Sequence, residues 1–419
     1  MSWFSDTLAR AGSRMHHIIQ DMKPKPPVKV SPTSWITERF PELLEEKSPM
    51  LVMPLIAFKK QNRLCRNINV WRAEALEKGW LVPREENHIV IFVSSRWWGD
   101  GTPDFEEPHE NAQQKHVQIF KAASRLAKRL DIDRTRVCLW IDWSCIQQDD
   151  PEARAAGIAS LVPYVATSDL FLIPVEHASL EGVAAVDPQS IPNYGERAWC
   201  RLECAIFSLW AEMSQPAAAA KKVKVRMWAA AADGSLRRFG AARYHAFDKR
   251  DLPSGGALTD EGDRETIVAL ESKLLEAYGE ALAHKACSVV GTASSRYGPR
   301  GEVDLSARML RPSVVKTLFE AVALYEVKSL NLEGNFLGDA FAEALAKELG
   351  RCELEDLDLL HNNLSKAAMR ELKRAAPGRL KLHLEYGADE DGMDGMADSE
   401  RTVSRAARAS MGERVQIAE

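Results

Sequence analysis

A chain of 419 residues, 45% hydrophobic and 27% charged, has ordinary globular composition and is too long for one typical core, so two or three domains are expected. A net charge of -5 argues against a broadly basic nucleic-acid surface. The seven cysteines are scattered and odd in number, which speaks against a disulfide framework and suits buried thiols in a reducing, cytoplasmic compartment.

In residues 1–23, Trp3, Phe4, Leu8, Met15 and Ile19 recur on one helical stripe, which reads either as a docking helix or as a helix for a partner or a membrane surface. The proline-rich stretch 24–27 then reads as a linker. The start of the chain lacks the uninterrupted apolar core of a signal peptide. The apolar run 49–58 is too short and too broken by proline to span a bilayer. Residues 34–82 read as mainly helical, and 1–87 together as an N-terminal region.

From residue 88 short apolar runs alternate with helical patterns, which predicts a parallel sheet with crossover helices over 88–295. The run 89–93 reads as the first buried strand, followed by a loop with Gly99, Gly101, Pro103 and Pro108. A helix over 110–130 is expected to bury Val117, Phe120, Ala123, Ala127 and Leu130. Residues 137–141 read as the second strand, 152–167 as a helix and 170–175 as the third strand. A helix carrying Trp199 and Glu203 follows, then a fourth strand at 223–228 and a fifth at 285–290.

In an open parallel sheet, ligands favour the crevice beyond the carboxyl ends of the strands. Ser94, Ser95, Arg96 and Trp97 follow the first strand, Asp142 to Cys145 follow the second, and Glu203 lies on the helix after the third. Topology therefore predicts that these residues converge on one rim. Bland roles stay open for each: Trp97 and Trp98 as caps on the sheet edge, Asp142 as a cap on local amides, and Glu203 as an ion-pair partner of Arg197 or Arg201. Cys200 and Cys204 lie one helical turn apart and could join Cys145, but no CxxC pair or His-x-x-x-His string supports a metal, and none is expected. A cysteine protease built on Cys200 or Cys145 with His177 lacks a recognisable context, and Gly99-Asp100-Gly101 has no Lys-Ser/Thr partner for a phosphate loop.

The strings Trp199-Cys-Arg-Leu-Glu203, Trp140-Ile-Asp142, Cys145-Ile-Gln-Gln-Asp-Asp150 and Tyr164-Val-Ala-Thr167 together resemble the Toll/interleukin-receptor (TIR) domain and the related fungal heterokaryon-incompatibility (HET) domain. The likeness to HET sequences is greater over 137–168, and that to TIR sequences greater at Cys200 and Glu203. It departs from the TIR pattern at 94–104, where a double tryptophan stands. The resemblance implies a flavodoxin-like α/β fold, a parallel sheet flanked by helices. It also implies that Glu203 is the catalytic acid of an NAD glycohydrolase, with NAD as substrate and no resident cofactor. Cleaving the ribose–nicotinamide bond creates oxocarbenium character, which a carboxylate stabilises. Under the same likeness Arg96 would meet the phosphates, Trp97 a base and Asp142 the ribose, with Ser94, Ser95 and Trp199 lining the site. The alternative is a self-assembling interaction scaffold without turnover; in either case the domain is expected to form homo-oligomers.

Near residue 300 the pattern changes. Leu330-x-Leu332-x-x-Asn335-x-Leu337 recurs as Leu357-x-Leu359-x-x-Asn362-x-Leu364, and a degenerate copy, Val303-x-Leu305-x-x-Arg308-x-Leu310, precedes them. Helices are expected at 340–349 and 366–372. The pattern resembles ribonuclease-inhibitor-type leucine-rich repeats, so 296–385 is expected to form a short solenoid that offers a protein-docking surface. Residues 386–419 open with six acids and no base over 389–400 and continue as an Arg/Ser/Ala stretch, which reads as a solvated, disordered tail. Ser404 and Ser410 follow arginines, the context of kinase sites. No nucleic acid and no membrane is expected as partner. The chain as a whole reads as an intracellular signalling or defence effector.

Overall fold

The computed structural model describes residues 39–99, 101–176, 180–181, 183, 188–214, 226–239, 252–287 and 301–385. The expected N-terminal helix, its proline linker, His177 and the acidic-to-basic tail lie outside the described residues. The described residues fall into two units: one takes those up to 214 with 226–239 and 256–274, the other takes 252–255 and those from 275 onward.

The first unit opens with strand β1 (Leu51–Pro54), helix α1 (Leu55–Gln61), helix α2 (Asn69–Glu77) and strand β2 (Val82–Pro83). The region expected to be mainly helical thus supplies two strands. The apolar run at 49–58 divides between a strand and a helix because Pro54, which cannot donate to a ladder, ends β1 and starts α1.

The parallel core follows as β3 (Ile89–Val93), α3 (Gln114–Arg129), β4 (Val137–Trp140), the short helix α4 (Asp142–Cys145), α5 (Pro151–Ala159), α6 (Leu161–Ala166) and β5 (Leu170–Pro174). The single helix expected over 152–167 is two helices. Pro163 has no N–H to continue α5 and fits the first turn of α6, while Ser160 between them accepts from the amides of Lys47 and Ser48. The unit continues with α7 (Ala198–Ser214), β6 (Met227–Ala230) and β7 (Leu236–Arg238). Helix α8 (Arg264–Cys287) is counted with the first unit to 274 and with the second beyond it. It occupies 285–287, so the expected fifth strand is corrected at that point. Leu, Glu and Ala are strong helix formers, and they carry the helix through His284 and Lys285.

The sheet order is β2-β1-β4-β3-β5-β6-β7. The four central strands run parallel, and β1, β2 and β7 add antiparallel edges. Strands β3, β4 and β5 are buried at every residue, as a sheet covered on both faces requires. Register sets Phe92 beside Trp140 and Phe171, and the three rings stack at 4.5 and 5.4 Å between centroids. Phe207 of α7 and Tyr164 of α6 pack onto this aromatic row at 5.1 and 5.6 Å. That packing fixes α7 against the sheet.

Helix α3 buries Lys115, His116, Gln118 and Ser124 along with Ile119, Ala122, Ala123, Leu126 and Ala127, while Val117 is exposed. The expected stripe was therefore rotated. Polar side chains on the buried face conceal it from a hydrophobicity pattern.

The second unit contains β8 (Glu302–Asp304), α9 (Val315–Leu324), β9 (Ser329–Asn331), α10 (Gly338–Glu348), β10 (Asp356–Asp358), α11 (Lys366–Ala375) and β11 (Lys381–His383). The four strands form one parallel sheet in which Val303, Leu330, Leu357 and Leu382 stand in register. Asn335 and Asn362 stitch the turns after β9 and β10 to the preceding ones. The Asn335 amide donates to the carbonyls of Leu305 and Leu332 and accepts from the amides of Arg308 and Leu310. Asn362 repeats the pattern 27 residues on, accepting from Asn335 and Leu337 and donating to Leu332 and Leu359. Among the described residues no helix is long and apolar enough to cross a membrane.

Candidate functional site

In the parallel core, β3 is the first strand, β4 pairs on one side of it and β5 on the other. The crossovers after β3, to β4, and after β5, to β6, therefore diverge, and the carboxyl ends of β3 and β5 border the crevice where ligands bind in open α/β sheets. Ser94 leaves β3 at this point. Its amide still reaches the Leu172 carbonyl at 3.0 Å, which extends the ladder and fixes the side chain. Glu203 approaches from the second turn of α7. The helix start is clamped from outside: the Ala198 amide donates to the Ala257 carbonyl, and a Cβ at Gly256 would lie 2.6 Å from the Ala198 backbone. Only a glycine allows that approach.

The Ser94 hydroxyl donates to Glu203 Oε2 and lies 2.6 Å from the Tyr194 phenol oxygen. Glu203 keeps part of its surface in contact with solvent, yet protein crowds its carboxyl group. Burial pushes the carboxyl up to about 8; the Ser94 hydroxyl opposes the rise and the Asp142 charge adds to it. The two arginines that precede Glu203 in sequence hydrogen-bond elsewhere: Arg197 donates to Thr259 Oγ1 at 2.6 Å, and Arg201 Nε donates to the Gly195 carbonyl at 2.6 Å.

Asp142 opens α4 just beyond β4. It accepts from the Trp143 amide at 2.7 Å, as a local cap does. Its carboxyl is also raised by burial, an effect opposed by the Trp143 amide, the Lys115 charge and the Trp97 indole. Ser94, Asp142 and Glu203 are thus brought together at the ends of β3 and β4, while Ser95 follows on the exit from β3.

The loop between β3 and α3 is held by Lys115, a residue the sequence reading passed over. This lysine is fully buried; its ammonium donates to the carbonyls of Arg96 and Pro103, at 2.5 and 2.8 Å, and lies 4.9 Å from the centre of the Trp98 ring. Burial pulls its pKa down to about 8 against the pull of Asp142 and Asp104. Asp104 accepts from the Lys115 and His116 amides, which ties the loop to the first turn of α3.

Arg96 sits 3.7 Å from Glu176, the second residue beyond β5, so its guanidinium lies at the divergence point with both groups partly exposed. Trp97 is 37% exposed and meets Trp143 edge-on at 5.1 Å, with Arg66 stacked 5.2 Å over the Trp143 ring. Trp199 is not part of this cluster's hydrogen bonding. Its indole donates to Asp263 at 2.9 Å. Trp98 lies buried beneath the loop.

Lys115, Tyr194, Glu176 and Arg66 are the neighbours that the sequence reading missed. None of them stands in a motif, and only the tertiary packing brings them to the site. Among the described residues no group of three or more His, Cys, Asp or Glu side chains could hold a metal ion. Comparison with protein-family models, with curated proteins and with solved structures returned no match.

Proposed function

We propose that the chain is a TIR/HET-like signalling or defence effector whose first unit hydrolyses NAD to nicotinamide and ADP-ribose through Glu203. The observation that carries this reading is the hydrogen bond between Ser94 and Glu203 beyond the carboxyl end of β3, a strand that borders the divergence point, with the Asp142 charge beyond β4 acting on the same carboxyl. The β4-β3-β5-β6 order agrees with a flavodoxin-like fold.

The chemistry needs little else from the protein. As the C1′–N1 bond breaks, nicotinamide leaves neutral with the bonding pair, positive charge develops on the ribose, and water adds to C1′ and releases a proton. Ionised Glu203 would face that charge. Asp142 would accept from the ribose hydroxyls, and Arg96, once drawn from Glu176, would hold the pyrophosphate. Trp97 offers an exposed ring for stacking. The second unit, with its 27-residue spacing and asparagine-stitched turns, supports a leucine-rich-repeat array that docks a protein partner.

A second reading, a self-assembling scaffold without turnover, is favoured by a different observation. Arg96, Lys115 and Trp199 already have protein partners in Glu176, two loop carbonyls and Asp263.

The two readings separate with the full chain, which keeps the β1 and β2 strands that a fragment starting at residue 88 would lose. Clustered on a surface at high density and given NAD, it should release nicotinamide, and Glu203→Gln should abolish release while the circular dichroism stays unchanged. Release that persists in the variant removes Glu203 from the role. No release under clustering leaves the scaffold.

A further inference from the structure

Tyr194 has no part in the chemistry above, yet its position is tightly specified. It is 4% exposed, in the loop before α7, and its phenol oxygen lies between Ser94 Oγ at 2.6 Å and Cys204 Sγ at 3.1 Å. Ser94 in turn is 1% exposed and touches the carboxyl of Glu203. Three segments, the exit of β3, the loop and α7, meet in one line of polar atoms.

Proton counting sets the direction of that line. A hydroxyl carries one proton, so when Glu203 is ionised Ser94 donates to the carboxylate and must accept from Tyr194. The phenol proton is then committed to Ser94 and is not available to Cys204 Sγ. Both hydroxyl donors point toward Glu203. When Glu203 takes up a proton it becomes the donor, and the order reverses. Burial holds the Tyr194 phenol well above its ordinary pKa, so the tyrosine remains neutral while Glu203 titrates.

We propose that Tyr194 is a positioning residue for Glu203: acting through Ser94, it favours the ionised carboxylate and holds it in one orientation. Its bearing on turnover rests on Glu203 being the reacting carboxylate, but its bearing on ionisation does not. Other titratable or charged groups around the site include Asp142 beyond β4, Cys200 one turn back on α7, Arg197 just before α7, which acts on Cys200, and Lys115 of α3, which acts on Asp142 and Cys200. Tyr194→Phe alters none of these. A difference between variants therefore isolates the phenol.

The test is a carbon-13 NMR titration of glutamate carboxyls in the full chain, with the Glu203 signal assigned by its loss in Glu203→Gln. Tyr194→Phe should raise the Glu203 midpoint by about half a unit, the size expected when a donor loses its own polarising partner. Ser94→Ala should raise it by about one to two units. Adding Tyr194→Phe to Ser94→Ala should add nothing, since the phenol acts through the serine. Replacing Tyr194 with difluorotyrosine, a stronger donor of the same shape, should move the midpoint down, which keeps the test open should the phenylalanine variant fold poorly. An unchanged midpoint in a folded Tyr194→Phe chain, or an equal shift with and without the Ser94 hydroxyl, overturns the relay. Where nicotinamide release is measurable its pH profile should move with the titration; a shifted titration in a chain that releases no nicotinamide supports the relay while removing the NAD reading.

Discussion

Ser94, the first residue beyond β3, donates its hydroxyl to Glu203, 109 positions later in the chain. This bond is the largest influence holding the Glu203 carboxyl down against a burial that lifts it to about 8. The folded chain therefore binds this proton more tightly than the unfolded chain, whose glutamate titrates near ~4.3. The resulting stabilisation is fully present below the unfolded value and is lost as pH rises to the folded one, about 8. Glu203→Gln cannot ionise. Its melting temperature relative to the parent chain should be higher at about pH 9 than at about pH 5, and a difference that stays flat with pH would remove the desolvated carboxylate.

Lys115 satisfies two loop carbonyls from inside the fold. Lys115→Met keeps the length of the stem but leaves both carbonyls without their charged donor. Urea unfolding should show a loss of about 2–4 kcal/mol, and limited proteolysis should cut first between Arg96 and Asn111. Equal stability would mean that the loop is held elsewhere.

Arg96 and Glu176 form a partly exposed pair 3.7 Å apart. Glu176→Gln should change stability by under about 0.5 kcal/mol, because solvent screens such pairs. On the NAD reading it frees the guanidinium for phosphate, so initial rates of the clustered chain should give a lower KM with little change in kcat. A raised KM would assign Glu176 a direct contact with substrate.

Asn335 serves five backbone groups with one side chain. Asn335→Ala should cost about 2–4 kcal/mol, since buried amides and carbonyls lose their partners together. The amides of Arg308 and Leu310 donate to this side chain and should exchange with solvent faster in the variant, while those of residues 335 and 337, from which Asn362 accepts, should keep their protection. Protection that survives the substitution would show the turn to be held by its backbone alone.

Much of the sheet was legible because β3, β4 and β5 are continuous apolar runs of strand length, a pattern few other structures produce. The asparagine positions were equally plain, since their 27-residue spacing recurs with the leucines around them. Strand β1 was not legible. Its four residues become a strand by pairing with Leu139 and Cys138, far along the chain. The 285–287 segment was misread because an apolar run near a helix end looks like a strand until the helix is seen to pass through it.

Residue order alone determined which chemical groups stand at strand exits: Ser94 and Arg96 after one, Asp142 after the next, and Glu203 on the helix after the third. Local pattern and chain connectivity are enough for that, since strand exits of parallel units share an edge. Tertiary structure alone decided the state of those groups. Which side chain Ser94 faces, why Lys115 is buried, where Trp199 turns and how strongly Glu203 holds its proton depend on desolvation and on neighbours far away in sequence, and a short-range motif encodes neither.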